Sequence, residues 1–116
     1  MTIPLNIDTN FDELPDARVH YWNFTASGDL LGDPLKLPDF PDKTVTCTGT
    51  FNGHAVTMQG SSDNSTWVTL IDMDGTSAIF TAGTVAYTLK TNLPYIRPSL
   101  DVSTGVTLKV SATSAK

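Results

Sequence analysis

Apolar and polar residues alternate along most of the chain after Lys43, a pattern typical of half-buried β-strands. Within residues 44–51, every even position is threonine, and the odd positions are Val45, Cys47, Gly49 and Phe51. One face of this strand is therefore expected to be apolar and the other to carry threonine. Asn52-Gly53 follows and favours a two-residue turn, so the pattern predicts a hairpin whose return strand covers residues 54–60.

Other short segments have the same strand-like character, and turn-forming residues separate them. They are residues 18–24, 66–71, 77–82, 85–90, 95–101 and 106–112. Pro98 falls inside one of them, which predicts an edge strand or a bulge there. The chain also contains 18 threonines and a single glutamate, a composition that disfavours helices. We therefore expect an all-β fold, an antiparallel, jelly-roll-like β-sandwich of about eight strands.

The first 42 residues differ from the rest, since they hold five of the seven prolines and only isolated apolar residues. We interpret residues 1–17 as an extended N-terminal arm and residues 18–116 as a single β-sandwich domain with a long Pro-rich loop at 25–42. An ordered arm must be held either by its own domain or by a neighbouring subunit. The apolar residues predicted to bind a partner are Ile3, Leu5, Ile7, Phe11 and Leu14 in the arm, and Leu35, Leu37 and Phe40 in the loop.

The charge and its distribution along the chain limit the classes of partner that this protein is expected to bind. The net charge is −5, and the first 42 residues carry eight acids and two bases, a net of −6, which leaves +1 for the remainder. The seven Lys and Arg residues are scattered, so the basic patch that phosphate binding needs is missing, and we expect no nucleic-acid partner. The chain has no long apolar run that would predict a membrane span or a signal peptide, so we expect synthesis in a reducing cytoplasm and no membrane partner.

Residues able to carry chemistry are few. His20 and His54 are the only histidines, and neither has a nucleophile or an orienting acid at a recognisable spacing. Cys47 lies on the apolar face of its predicted strand and is expected to be a core residue rather than a nucleophile. Asp72-Met73-Asp74-Gly75 resembles part of a calcium loop but lacks the later glutamate, and we interpret it as a turn. The sequence therefore predicts no enzymatic activity, no metal site and no cofactor.

One stretch has a family resemblance. Residues 56–70, which run from Val56 through Gly60-Ser61 and Asp63 to the Trp67 strand, are followed by Phe80 and by Tyr95-Ile96-Arg97-Pro98. This pattern resembles small structural proteins of tailed bacteriophages, and the same outline occurs in discoidin-like, galactose-binding jelly rolls. The phage resemblance implies a capsid decoration (cement) protein, which binds outside the assembled major capsid protein and stabilises the head. The galactose-binding outline implies a ligand in the loops between strands.

Two functional hypotheses follow. The first is a structural virion protein on the capsid surface whose partner is the major capsid protein, bound through the apolar arm and loop residues, with Arg97 pairing with an acid in the arm or on the capsid. For such a protein we expect a homo-oligomer, with a trimer favoured over a dimer. The alternative is a carbohydrate-binding or host-adhesion module on the virion or tail.

Overall fold

Short strands connected by turns make up the structure, a computed structural model that describes residues 2–7, 17–24, 31–36, 42–51, 54–81, 86–90, 93–101 and 107–115. The strands of these ranges are β1 (Thr2–Ile3), β2 (Asn6–Ile7), β3 (Ala17–Phe24), β4 (Leu31–Gly32), β5 (Leu35–Lys36), β6 (Asp42–Thr50), β7 (Val56–Ser61), β8 (Val68–Thr69), β9 (Ile79–Phe80), β10 (Ala86–Lys90), β11 (Tyr95–Leu100) and β12 (Thr107–Ala115). No helix able to span a membrane is found in this part of the chain.

The strands form two sheets. Sheet I has the order β1-β4-β11-β7-β8, with β5 added to β11 and β9 added to β7. Sheet II has the order β10-β6-β12-β3-β2. Every described pairing is antiparallel except the short one between β1 and β4. The predicted all-β, jelly-roll-like sandwich is confirmed.

Alternating side chains from both sheets form one core, as the period-two pattern predicts. The fully buried apolar residues of sheet II include Trp22, Phe24, Val45, Cys47, Val110 and Ala112, and those of sheet I include Val56, Met58, Phe80 and Ile96. The Trp22 indole Nε1 also donates a hydrogen bond to the Asp33 carbonyl oxygen at 2.8 Å, so its polar atom is satisfied between the sheets.

The hairpin predicted at Asn52-Gly53 is wrong, because β6 belongs to sheet II and β7 to sheet I. The backbone N–H of His54 donates to the Phe51 carbonyl oxygen at 2.9 Å, so the chain reverses here within three residues, while Asn52 and Gly53 themselves lie outside the described residues. β6 pairs instead with β12 along nine residues, and β7 with β11 along six. The dipeptide predicts a tight turn, but these longer pairings decide the partner strands.

Gly49 explains a second departure from the simple alternation. Its φ of +127° is a conformation that favours glycine, and a Cβ at this position would clash with the carbonyl oxygen of Thr107. Gly49 is exposed rather than part of the apolar face, whereas Val45, Cys47 and Phe51 are buried as predicted.

The strand that contains Pro98 is interior rather than at an edge, since β11 lies between β7 on one side and β4 and β5 on the other. Its neighbour on the second side is interrupted between β4 and β5, at Asp33-Pro34. β11 therefore has no continuous ladder partner on that side near Pro98, which has no N–H to donate.

Residues 2–7 are integrated into the domain. β1 pairs with β4 in sheet I, and β2 pairs with β3 in sheet II, so this segment crosses from one sheet to the other. The Asp33 N–H donates to the Ile3 carbonyl oxygen at 2.8 Å, which holds the crossing point. Of the two anchors considered for the arm, its own domain holds these six residues.

Candidate interaction surface

The nine residues predicted to bind a partner are not equally placed. Ile3 and Leu35 are each 3% exposed and lie in the core of their own chain, so neither side chain is available to a second protein in this conformation. Leu5 is partly buried and packs against the same core. Ile7 lies in β2 and pairs with His20. Phe11, Leu14, Leu37 and Phe40 lie outside the described residues and stay predictions.

Arg97 lies on the outer face of sheet I, where two other side chains fix its orientation. Its Nε donates a hydrogen bond to Gln59 Oε1 at 2.9 Å, and its Cζ is 3.9 Å from the centroid of the Trp67 ring. Gln59 is directly opposite Arg97 in the β7–β11 register. Partial burial lowers the pKa of Arg97, since desolvation disfavours the charged form. The guanidinium is therefore a preoriented cation stacked on an aromatic ring.

A second cation accompanies it on the same face. Tyr95 precedes Arg97 by two residues on β11, so both side chains point outward, and Lys36 is opposite Tyr95 in the neighbouring strand. The Lys36 Nζ is 5.6 Å from the centroid of the Tyr95 ring. Sheet I thus presents two cation–aromatic pairs side by side.

The loop before Trp67 is held by one carboxylate. Asp63 Oδ1 accepts hydrogen bonds from the N–H groups of Thr66 and Ser65 at 2.8 and 2.9 Å, and from the hydroxyl of Ser61. These donors, led by Thr66, hold the pKa of Asp63 below its usual value because they stabilise the charged form. The loop that leads into Trp67 is therefore tightly bonded.

Exposed large apolar side chains come from one segment of the described chain. They are Val68, Ile71, Met73 and Ile79, which are 54%, 58%, 67% and 37% exposed. We call Ile71, Met73 and Ile79 the hairpin patch, because Ile71 is bridged to Ser77 and the chain reverses between them. Val68 is not included, since it lies opposite Gly60 and Ile79 lies opposite Thr57, which places the two side chains on opposite faces of sheet I. The concentration of exposed large apolar side chains in this one short segment makes it a candidate interaction surface.

The turn inside this segment is rigid. Asp72 Oδ1 accepts hydrogen bonds from the N–H groups of Asp74 and Thr76 at 2.9 and 3.0 Å, and the Gly75 N–H donates to the Asp72 carbonyl oxygen at 3.0 Å. Gly75 has a φ of +86°. The interpretation of this sequence as a turn is confirmed. The exposed Met73 is thus presented in a fixed position.

Contacts with β10 of sheet II also hold the backbone of this segment. The Met73 N–H donates to the Thr88 carbonyl oxygen at 3.0 Å, and the Tyr87 hydroxyl donates to the Ile79 carbonyl oxygen at 2.8 Å. The rings of Tyr87 and Phe80 also pack edge to face, with centroids 4.9 Å apart. The patch residues remain exposed although their backbone is bound, so their exposure is not a consequence of a loose loop.

Sequence reasoning identified Arg97 but missed the hairpin patch. A signal was present, because Trp67, Val68, Leu70 and Ile71 make both faces of the predicted strand 66–71 apolar. Only one face of a strand in a two-layer sandwich can reach the core, so the other must be exposed or covered by a partner. In the structure Leu70 is buried, and Ile71 is exposed.

The outer face of sheet II is different in character. The threonines of β6 that alternate with its core residues, Thr44, Thr46, Thr48 and Thr50, are exposed, and none of the hairpin-patch residues lies here. One cation–aromatic pair occurs on it, since the Lys109 Nζ is 4.5 Å from the centroid of the Tyr21 ring. This face is therefore polar, and it provides a natural control surface for experiments.

The other candidate residues do not form a reactive group. Cys47 is 1% exposed, and burial raises its pKa to about 12, so it is a core thiol as predicted. His54 Nδ1 is 3.7 Å from Asp101 Oδ1 at the surface. Among the described residues no group of three or more His, Cys, Asp and Glu could hold a metal ion.

No protein-family model and no curated protein matches the sequence. Solved structures do match. SPBc2 prophage-derived protein YomS has a TM-score of 0.64 at 12% identity, covering 86% of this chain and 95% of that one. PBSX exported protein XepA has a TM-score of 0.66 at 17% identity, and the match covers 90% of this chain but only 40% of XepA. Procruciferin, an 11S globulin from Brassica napus, has a TM-score of 0.52 at 5% identity, and the match covers 96% of this chain and 24% of procruciferin.

At these identities the matches establish the fold alone. The chain spans nearly all of YomS and less than half of XepA, so XepA contains a large part that has no counterpart here. The fold is therefore an all-β sandwich shared with phage-derived proteins.

Proposed function

We propose that this chain is a structural protein of a phage virion that binds the outer surface of the major capsid protein shell and stabilises the head. The hairpin patch is the observation that carries the proposal, because it offers a fixed, exposed apolar surface. The phage-derived structural neighbours support a virion protein. The resemblance of residues 56–100 to small phage structural proteins supports the same class.

The chemistry of the patch suits a stable protein contact. Complete burial of an Ile or Met side chain contributes roughly 1.5–3 kcal/mol. The hydrogen bonds of Asp72 and the contacts of Tyr87 already order the backbone, so binding need not order this segment again. A shell offers many equivalent sites, and linked copies then gain avidity.

Further parts of the proposal follow from the same role. The chain is expected to associate with itself, with a trimer favoured over a dimer, and to have no enzymatic activity, no nucleic-acid partner and no membrane partner. Phe11, Leu14, Leu37 and Phe40 remain predicted as additional contacts of the acidic N-terminal third. Its location would be the capsid surface.

The test compares two double variants in cosedimentation with assembled shells of the major capsid protein. Ile71→Asp with Met73→Asp places two charges in the patch and should weaken binding at least about tenfold, since a buried, unpaired charge is strongly unfavourable. Thr46→Asp with Thr48→Asp adds the same charge to the outer face of sheet II and should bind like the unaltered chain. Circular dichroism checks that both variants are folded.

Equal binding by both variants would show that the hairpin patch does not contact the shell. Absence of shell binding by the unaltered chain would overturn the proposed function.

A second candidate is the carbohydrate-binding or host-adhesion module. Trp67 and Tyr95 on one face of sheet I favour it, because exposed rings are used to stack sugars. Binding of the unaltered chain to a glycan array, together with no affinity for shells, would support this alternative instead.

A further inference from the structure

Two cations on the outer face of sheet I, Arg97 and Lys36, have no carboxylate partner within the described ranges. Among the described residues, Arg97 contacts Gln59 and Trp67, and Lys36 contacts Tyr95, while the ion pair described joins His54 and Asp101 instead. A partly buried guanidinium loses solvation, and an anionic partner would restore that loss.

Three of the described acids have other partners. Asp63 accepts hydrogen bonds from its own loop, and Asp72 accepts them from its own turn. Asp101 faces His54. The described outward strand positions of sheet I contain no acid; by register they are Thr2, Leu31, Lys36, Thr57, Gln59, Ser61, Thr69, Ile79, Tyr95, Arg97 and Ser99. Among the described residues, the strands of sheet I therefore carry two outward cations and no outward acid, and the exposed Asp33 in the interruption between β4 and β5 has no described ion pair with either cation.

Arg97 is also prepared for a directed contact. Gln59 engages Nε, and Trp67 lies against the guanidinium plane, so the terminal Nη1 and Nη2 atoms are the donors that no described hydrogen bond uses. Two parallel N–H donors match the two oxygens of a carboxylate. The orientation is fixed before binding, which lowers the entropy cost of forming the contact.

We propose that Arg97, with Lys36 beside it, binds acidic side chains of the protein on which this chain docks. This inference rests on the proposed function and adds the chemistry of the partner, a surface segment with closely spaced Asp or Glu residues. A protein is favoured over an acidic sugar because Arg97 covers one face of Trp67, and the exposed Ile79 lies opposite Thr57 on the same face. Elsewhere the net negative charge repels an acidic partner, so this cationic face sets the docking orientation.

Single variants of the full chain test the proposal in binding to assembled major capsid protein shells. Arg97→Gln should weaken binding about tenfold or more at low salt, since a charge-assisted hydrogen bond is lost. Arg97→Lys should be intermediate, because it keeps the charge but not the paired donors. Lys109→Gln is the matched control, removing a cation from the equivalent pair with Tyr21 on sheet II, and should stay within about twofold of the unaltered chain.

Salt and folding provide two further measurements. Affinity of the unaltered chain should fall with NaCl concentration more steeply than that of Arg97→Gln. Thermal unfolding identifies any loss of binding that arises from loss of structure. If Arg97→Gln and Lys109→Gln bind equally well, the carboxylate contact does not exist, while the proposed function survives.

If the unaltered chain does not bind shells at all, a second experiment tests the inference independently of shell binding. A tetraglutamate peptide is titrated into the ¹⁵N-labelled chain, and N-acetylneuraminic acid is titrated in parallel. We expect the peptide to shift the Trp67 indole and Arg97 Nε resonances of the unaltered chain, and to leave the Trp67 indole resonance of Arg97→Gln unshifted. No shift with the peptide would overturn the inference, and shifts with the sugar alone would overturn the choice of a protein partner.

Discussion

The Cys47 thiol lies between the two sheets, and its burial has consequences for its chemistry. It is 1% exposed, and desolvation raises its pKa to about 12, well above the usual value for a thiol. The thiol is therefore neutral in the folded chain at pH values at which an unfolded chain would ionise it. A neutral, buried thiol is a poor nucleophile, and Cys47 acts as a small core side chain.

Two measurements check this at the residue scale. Native Cys47 should react with iodoacetamide only as fast as the domain unfolds. Because its pKa is higher in the folded than in the unfolded state, its contribution to stability is complete below about pH 9 and decreases as the pH rises from 9 toward 12. Cys47→Val should therefore lose less free energy of unfolding over that interval than the unaltered chain. Rapid labelling of the native protein would show that the thiol is accessible.

At the scale of elements, the first strands complete both sheets rather than forming a free arm. β1 pairs in sheet I and β2 in sheet II, and Ile3 between the sheets is 3% exposed. Removing residues 1–16 would therefore delete two strands and a core side chain, as well as any capsid contact that these residues themselves make. A loss of binding after that deletion cannot be assigned to the arm alone, so point variants are the better experiment.

Ile3→Ala tests the structural role of this segment. The change should lower the free energy of unfolding by about 2–4 kcal/mol, since it removes buried methyl groups and leaves a cavity. Ile79→Ala makes the same chemical change in the exposed hairpin patch and should cost less than about 1 kcal/mol. Urea unfolding followed by tryptophan fluorescence measures both. Similar values for the two variants would mean that Ile3 is not in the core.

Several elements could be predicted from the sequence, and the reasons for the others are physical. Long alternating runs such as β6 and β12 were predictable because period two is visible over eight or nine residues. The two-residue strands β1, β2, β4 and β5 are too short to show any period. The partner of β6 was also not predictable, since a turn dipeptide specifies a reversal and not the sheet that each strand joins.

The same limits apply to the candidate site. Arg97 could be identified because an arginine on a predicted strand must place its charge at a surface. Its contacts with Gln59 and Trp67 depend on the register of β7, β8 and β11, which no local pattern determines. The hairpin patch was missed because alternation alone does not say which of two apolar faces is covered.

At the scale of the whole molecule, the two outer faces have different chemistry. Sheet II presents threonines, whereas sheet I presents two cations that have no carboxylate partner among the described residues, and the segment that follows β8 carries the exposed Ile71, Met73 and Ile79. A protein that binds a shell from outside needs one face for attachment and one for solvent. In our proposal, sheet I and the hairpin patch attach to the shell, and sheet II faces solvent.

Electron cryomicroscopy of assembled major capsid protein shells saturated with this chain tests that assignment most directly. The account predicts density for the β-sandwich on the outer surface of the shell, with Arg97 and the hairpin patch facing the capsid protein and Thr44, Thr46 and Thr48 facing solvent. Density with the threonine face against the shell, or no added density on the outer surface, would contradict it.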